Sequence, residues 1–153
     1  MSKTIITSYT NPDLDGVACA VAYAELLGKD HIPVIYGNPE KEVLFVFNKF
    51  WFELPIKNYQ AQPEENVILV DNSTFSKHPQ ELKSNRIIEI IDHRTYTSLA
   101  EFNNVKTQIE LVGACATLIG EKYKKLGKTP SNKSAILLAG GIISNTLNFQ
   151  AKV

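Results

Sequence analysis

The sequence predicts an α/β domain: a mainly parallel sheet of about five strands with helices on both faces. Three observations carry that expectation. Short β-branched apolar runs recur along the chain, helical patterns separate several of them, and acidic residues gather just after the runs. Alternating strands and helices build parallel sheets because each parallel pair needs a crossover long enough to hold a helix.

The elements follow in order. Ile5-Ile6 begins the sheet, and Val17 to Leu27, rich in Ala and Leu, predicts a helix with Gly28 as its C-cap. His31 to Tyr36 is the second strand. Pro39 sits at a helix-start position before Glu40 to Glu53, where Val43, Phe47, Phe50 and Trp51 stack at helical spacing. Phe45 and Phe52 fall off that face, offering an aromatic surface to a homodimer or to a second domain. Asn66 to Val70, Arg86 to Ile91 and Thr107 to Val112 supply three more strands. Ala114 to Leu126, stopped by Gly127, and Lys133 to Asn145 supply the last helices. No repeat or linker divides the chain, so residues 1–153 are expected to form a single domain.

Composition narrows the function. With 44% hydrophobic and 21% charged residues the chain reads as an ordinary soluble globular protein. Its 16 basic residues balance 16 acidic ones, which disfavours duplex nucleic acid as a partner. Cys19 and Cys115 are too few and too isolated for a disulfide framework or a zinc ribbon, which points to a reducing, cytoplasmic home. Neither a signal peptide nor a membrane span is read in the sequence.

The strand ends carry the chemistry. Asn11, Pro12, Asp13, Leu14, Asp15 and Gly16 follow the first strand; Asp71 follows ILV; Asp92, His93 and Arg94 follow IIEII. In open parallel sheets ligands bind at the carboxyl ends of the strands, so these residues share an address. Unpaired carboxylates brought together repel one another and resist ionisation. A hard divalent cation, Mn²⁺ or Mg²⁺, turns that cost into attraction. Each group also has a plainer reading: Asp15 as the cap of a helix beginning at Gly16, Asp71 in an Asx-turn with Asn72 and Ser73, His93 as a buried hydrogen-bonded histidine. Taken together at neighbouring strand ends, the metal reading is the stronger.

Four segments, NPDLDG, ILVDNS, IIDHR and LAGGIISNTLNF, resemble in that order the motifs of the DHH phosphoesterases, and LVGACATLI resembles the helix start found before the last of them. That family includes manganese-dependent inorganic pyrophosphatases, exopolyphosphatases, RecJ-type exonucleases and small phosphodiesterases. The resemblance implies a Rossmann-like fold and metal-assisted attack of water on a phosphoanhydride or phosphodiester. It implies Asp13 and Asp15 each binding one of two metals, Asp71 bridging them, and His93 binding the second. Asp92 would orient His93, and Arg94 would contact phosphate. Asn11 and the Gly113-Ala114-Cys115 turn would bind a phosphate-bearing small molecule: pyrophosphate, polyphosphate, a nucleotide or a short oligonucleotide. Cys115 is a packing residue in this reading, not a nucleophile.

Three positions depart from the pattern. Tyr9 stands where the family has histidine, Arg94 where it has the second histidine of the name-giving motif, and Asn145 where it has aspartate. Both metal sites lose a strong ligand, so a single weakly held Mg²⁺ or Mn²⁺ is expected. The family's C-terminal lid domain is expected to be absent from these 153 residues, which then read either as a fragment of a longer protein or as a domain that works without that lid. The competing reading is a catalytically weak or inactive DHH-like domain that binds a nucleotide, phosphate compound or metal in a regulatory or assembly role.

Overall fold

The computed structural model describes residues 3–82, 85–94, 102 and 105–151. Its elements run β1 (Thr4–Thr7), α1 (Leu14–Leu27), β2 (His31–Ile35), α2 (Lys41–Lys49), β3 (Ile56–Lys57), β4 (Asn66–Val70), β5 (Arg86–Asp92), β6 (Lys106–Ile109), α3 (Cys115–Lys125) and α4 (Asn132–Asn145). The strands form one six-stranded sheet, wholly parallel, in the order β3-β2-β1-β4-β5-β6. The sixth strand, β3, was not expected. Two exposed residues paired to Val34 and Ile35 carry no periodicity that a sequence could show.

Adjacent residues on the strands feed opposite cores. Ile6, Ile68, Val70 and Ile91 pack beneath α1, α3 and α4, while Ile35 joins α1 and α2. Ile5, Val67, Leu69 and Ile90 face the other way and are covered by Leu82, Tyr59, Phe102 and Val105. On that second face, among the described residues, the helical cover is of the 3₁₀ kind, Gln80–Leu82.

The central helix α1 is buried along its length except at Glu25 and Leu27, which is why it is apolar all round rather than striped. Gly141 of α4 sits so close to it that a Cβ would lie 3.1 Å from the Asp15 Cα. The second glycine of LAGGII is thus a packing requirement, and the close approach it allows brings the end of α4 over the strand ends.

The aromatic helix is shorter than its pattern suggested. It stops at Lys49, Trp51 takes a left-handed φ of 51°, and Phe50 and Trp51 are 44% and 91% exposed. Phe52 turns back instead: its N–H donates to the Phe47 carbonyl at 2.8 Å and its ring packs edge-on against Phe47. Among the described residues no helix is long and apolar enough to cross a membrane.

Candidate metal centre

The direction of strand addition reverses between β1 and β4, and that is where a crevice opens at the carboxyl edge of such a sheet. The exits of β1, β4 and its neighbour β5 carry the acidic motifs into this crevice.

Asp13 and Asp15 take different jobs. Asp13 is the N-cap of α1, its Oδ1 accepting from the Gly16 N–H at 3.0 Å. The cap is therefore Asp13, because the helix begins at Leu14, two residues before the Gly16 start considered from sequence. Asp15 is buried within the first turn and reaches another helix. Its Oδ2 accepts from the Cys115 N–H and its Oδ1 from the Ala116 N–H, both at 2.8 Å. The N-cap of α3, Ala114, has no side chain able to do this. Asp15 thus supplies the charge-assisted bonds that the α3 N-terminus favours. Burial pushes its carboxyl up, and those two N–H groups pull it back. The Cys115 N–H expected to meet phosphate is accordingly committed to Asp15; Gly113 and the buried Ala114 lead into that turn.

Asp71 leaves β4 in a left-handed conformation, φ 54°, held by its N–H donating to the Ile91 carbonyl at 2.8 Å. The Asx-turn beyond it belongs to Asn72, whose Oδ1 accepts from the Thr74 N–H. The Asp71 carboxylate is consequently turned inward, fully buried, and its Oδ2 has no hydrogen-bond partner. Gly16 lets it sit there: a Cβ on Gly16 would strike Ser8 and lie 3.4 Å from that same Oδ2.

His93 is oriented by a group that sequence reasoning did not find. Its Nδ1 lies 2.9 Å from the Val112 carbonyl, which can only accept, so the Nδ1 proton is fixed and Nε2 faces the crevice. A backbone carbonyl has no side-chain signature, and this one lies in the loop between β6 and α3. Asp92, assigned that orienting role from sequence, does not touch the ring. It accepts from the Ser73 hydroxyl at 2.5 Å, from the His93 backbone N–H at 2.7 Å, and faces Arg94 at 3.3 Å. As the last residue of β5 it points to the opposite side of the strand from the residue that follows.

His93 Nε2 lies 3.3 Å from Asp71 Oδ1, 3.9 Å from Asp15 Oδ2 and 3.2 Å from Asn145 Nδ2. Burial opposes charge on the ring, but the Asp71 carboxylate outweighs it and holds the imidazole up at about 9. Burial likewise raises Asp71 to about 7, against the pull of His93 and Arg94. Asn145 Nδ2 also donates to Asp15 Oδ2 at 3.1 Å, so the α4 carboxamide bridges two of the predicted ligands.

The remaining predicted residues sit at the rim. Arg94 Nη2 pairs with Asp71 Oδ1 at 3.1 Å, and its Cζ lies 5.5 Å over the Tyr9 ring. The Tyr9 hydroxyl accepts from the Asp13 N–H, and burial with the nearby carboxylates keeps it protonated. Asn11, expected at substrate, uses its side-chain oxygen to accept from the Asn38 N–H at 2.7 Å, tying two loops together. Beneath the floor, the thiols of Cys19 and Cys115 are buried, and burial raises Cys115 to about 11.

Asp15, Asp71 and His93 each offer one ligand atom, and those atoms lie within 4.8 Å of one another. Two carboxylates and an imidazole with its other nitrogen already anchored suit Mn²⁺, and the unpartnered buried Asp71 Oδ2 is a donor atom that a cation would satisfy. Asp13 stands outside this group.

The family model described as "DHH family, N-terminal domain" matches residues 3–142. The chain belongs to the DHH family. Proteins of Streptococcus mutans and Bacillus cereus, each named probable manganese-dependent inorganic pyrophosphatase, are 31% and 34% identical over 96% and 99% of this chain. The DHH chain spans about half of their length, 49% and 50% respectively. Among solved structures, a Methanococcus jannaschii protein assigned to the family II inorganic pyrophosphatases superposes with a TM-score of 0.82 at 30% identity, over 96% of this chain and 49% of that one. An exopolyphosphatase-related protein from Bacteroides fragilis shares the fold, with a TM-score of 0.73 at 14% identity over 97% of this chain and 47% of that one.

Proposed function

We propose that this chain is the metal-binding half of a DHH-type phosphoanhydride hydrolase, with pyrophosphate as the first substrate class to test. The observation that carries the reading is the buried, unpartnered Asp71 Oδ2 beside Asp15 and His93 at the reversal point of the sheet. The names and sequence similarity of the matched pyrophosphatases support it.

In this reading Asp15, Asp71 and His93 hold one Mn²⁺ or Mg²⁺. When bound, such an ion lowers the pKa of a coordinated water and draws charge from phosphate oxygens. The chain's own residues do the rest. The Val112 carbonyl aims the His93 lone pair, the α3 N–H groups fix the Asp15 carboxylate, and Arg94 sets a positive charge at the rim where a phosphate oxygen would enter. A regulatory or assembly role is the second reading, favoured by Asn145, whose neutral amide already spans Asp15 and His93.

A thermal melt with and without millimolar Mn²⁺ tests the site. Binding to the native state raises the melting temperature of the parent chain but not of Asp71→Asn. An equal rise in both would remove Asp71 from the site. Chelator-sensitive hydrolysis of pyrophosphate by the parent chain, lost in Asp71→Asn, then separates the hydrolase from the binding module.

A further inference from the structure

The rim of the crevice is electrostatically complete in a way the floor is not. Arg94 contacts Asp71 in two ways, Nη2 on Oδ1 at 3.1 Å and Nη1 donating to the backbone carbonyl, and the same Nη1 lies 3.3 Å from Asp92 Oδ1. Its side chain is 31% exposed, and the guanidinium lies over the Tyr9 ring, an aromatic face that attracts a planar cation. Tyr9 is tied by its hydroxyl to the Asp13 N–H, and Asp13 is tied by Oδ1 to the Gly16 N–H. Arg94, Tyr9 and Asp13 therefore each have a partner inside the protein.

The floor differs. Three donor atoms converge within 4.8 Å, and the fully buried Asp71 Oδ2 has no hydrogen-bond partner. A carboxylate can bridge two ions through its two oxygens, and the ions of a two-metal site stand about 3.5–4 Å apart. Here Oδ1 already lies 3.1 Å from the Arg94 guanidinium and 3.3 Å from His93 Nε2, so the face of the carboxylate turned to Arg94 carries a cation.

We infer that Arg94 is a resident cation standing where a second metal would sit, so that this chain binds a single divalent ion on the floor. The guanidinium and one metal then share the bridging carboxylate, with Tyr9 as the platform that holds the guanidinium in place. The inference rests on the metal reading of Asp15, Asp71 and His93 given above. It adds that Arg94 acts on the metal electrostatically as well as on any phosphate.

Titration calorimetry with Mn²⁺, backed by the electron paramagnetic resonance of the bound ion, tests it on the full chain. The parent should bind one Mn²⁺ with the spectrum of an isolated ion. Arg94→Gln should bind Mn²⁺ about tenfold more tightly, because a positive charge beside the site of a divalent ion is removed. Arg94→Lys, which keeps the charge, should bind within about twofold of the parent and serves as the folding control. Two ions in the parent, or an exchange-coupled spectrum, would overturn the inference while leaving the metal site intact. So would Mn²⁺ affinity unchanged in Arg94→Gln, the result expected of an arginine that meets only phosphate. No Mn²⁺ bound by parent or variants would overturn the metal reading and this inference with it.

Discussion

The floor and the rim of the crevice are built from the same short motifs, yet they solve the problem of clustered carboxylates differently. On the floor, Asp15 is steadied by backbone N–H groups of α3 and Asp71 is left with a bare buried oxygen. On the rim, Asp13 caps its own helix and Arg94 neutralises Asp71 and Asp92. Residues two apart in NPDLDG, Asp13 and Asp15, thus fall into different electrostatic worlds. The difference teaches that a motif fixes which residues arrive at a strand end, whereas the packing of later helices decides what each one meets there.

Removing one aspartate from each region should expose that contrast most strongly. Asp15→Ala leaves the Cys115 and Ala116 N–H groups buried without an acceptor, a loss of about 2–4 kcal/mol when each orphaned donor is counted. Asp13→Ala removes a half-buried N-cap and should cost about 1 kcal/mol. Urea denaturation of metal-free protein measures both. Equal costs would mean that α3 does not depend on Asp15, and the floor would lose its distinction from the rim.

How much of this was legible beforehand follows the same division. The strand exits and their order could be read because buried parallel strands are short apolar runs and the acids directly follow them. The partner of each acid could not. Asp15 meets Cys115 and Ala116 across a gap of about a hundred residues, through backbone groups that every sequence possesses. The Val112 carbonyl that aims His93 is invisible for the same reason. Phe52 escaped because helix α2 ends at Lys49 and the chain then passes through a left-handed Trp51, a reversal that no hydrophobic spacing announces. Asn72 took the Asx-turn read for Asp71 because the strand runs into a left-handed residue first.

The pH dependence should separate floor from rim next. In the fold the Asp71 carboxyl is raised to about 7 from 3.8, so protonation there stabilises the native state. That contribution is complete below about pH 4 and is lost as pH rises through 7. His93, raised to about 9 from 6.5, contributes stability that is complete below 6.5 and is lost as pH rises through 9. Both floor groups therefore make the metal-free protein less stable from pH 6 towards pH 9. A bound cation reverses the sign, because it needs the carboxylate and the imidazole deprotonated. Melting temperatures in a chelator should fall across that range, while the increment given by Mn²⁺ grows. A metal-free melting temperature that climbs towards pH 9 would show that the floor does not store protons in place of a metal.

The smallest effect concerns what lies under the floor. Cys115 begins α3 and Cys19 lies one turn beyond Asp15, with its Sγ donating to Asp15 Oδ1 at 3.5 Å. A nucleophilic thiol would need exposure and a lowered pKa, whereas burial raises Cys19 and takes Cys115 to about 11. Both are fully buried, so iodoacetamide at pH 8 should leave the native chain unmodified by intact mass while labelling both thiols in urea. Rapid labelling of native Cys115 would mean that the floor opens to solvent from below. In that case Asp15 would no longer be shielded, and the strong contrast with Asp13 would shrink to a difference in hydrogen bonding alone.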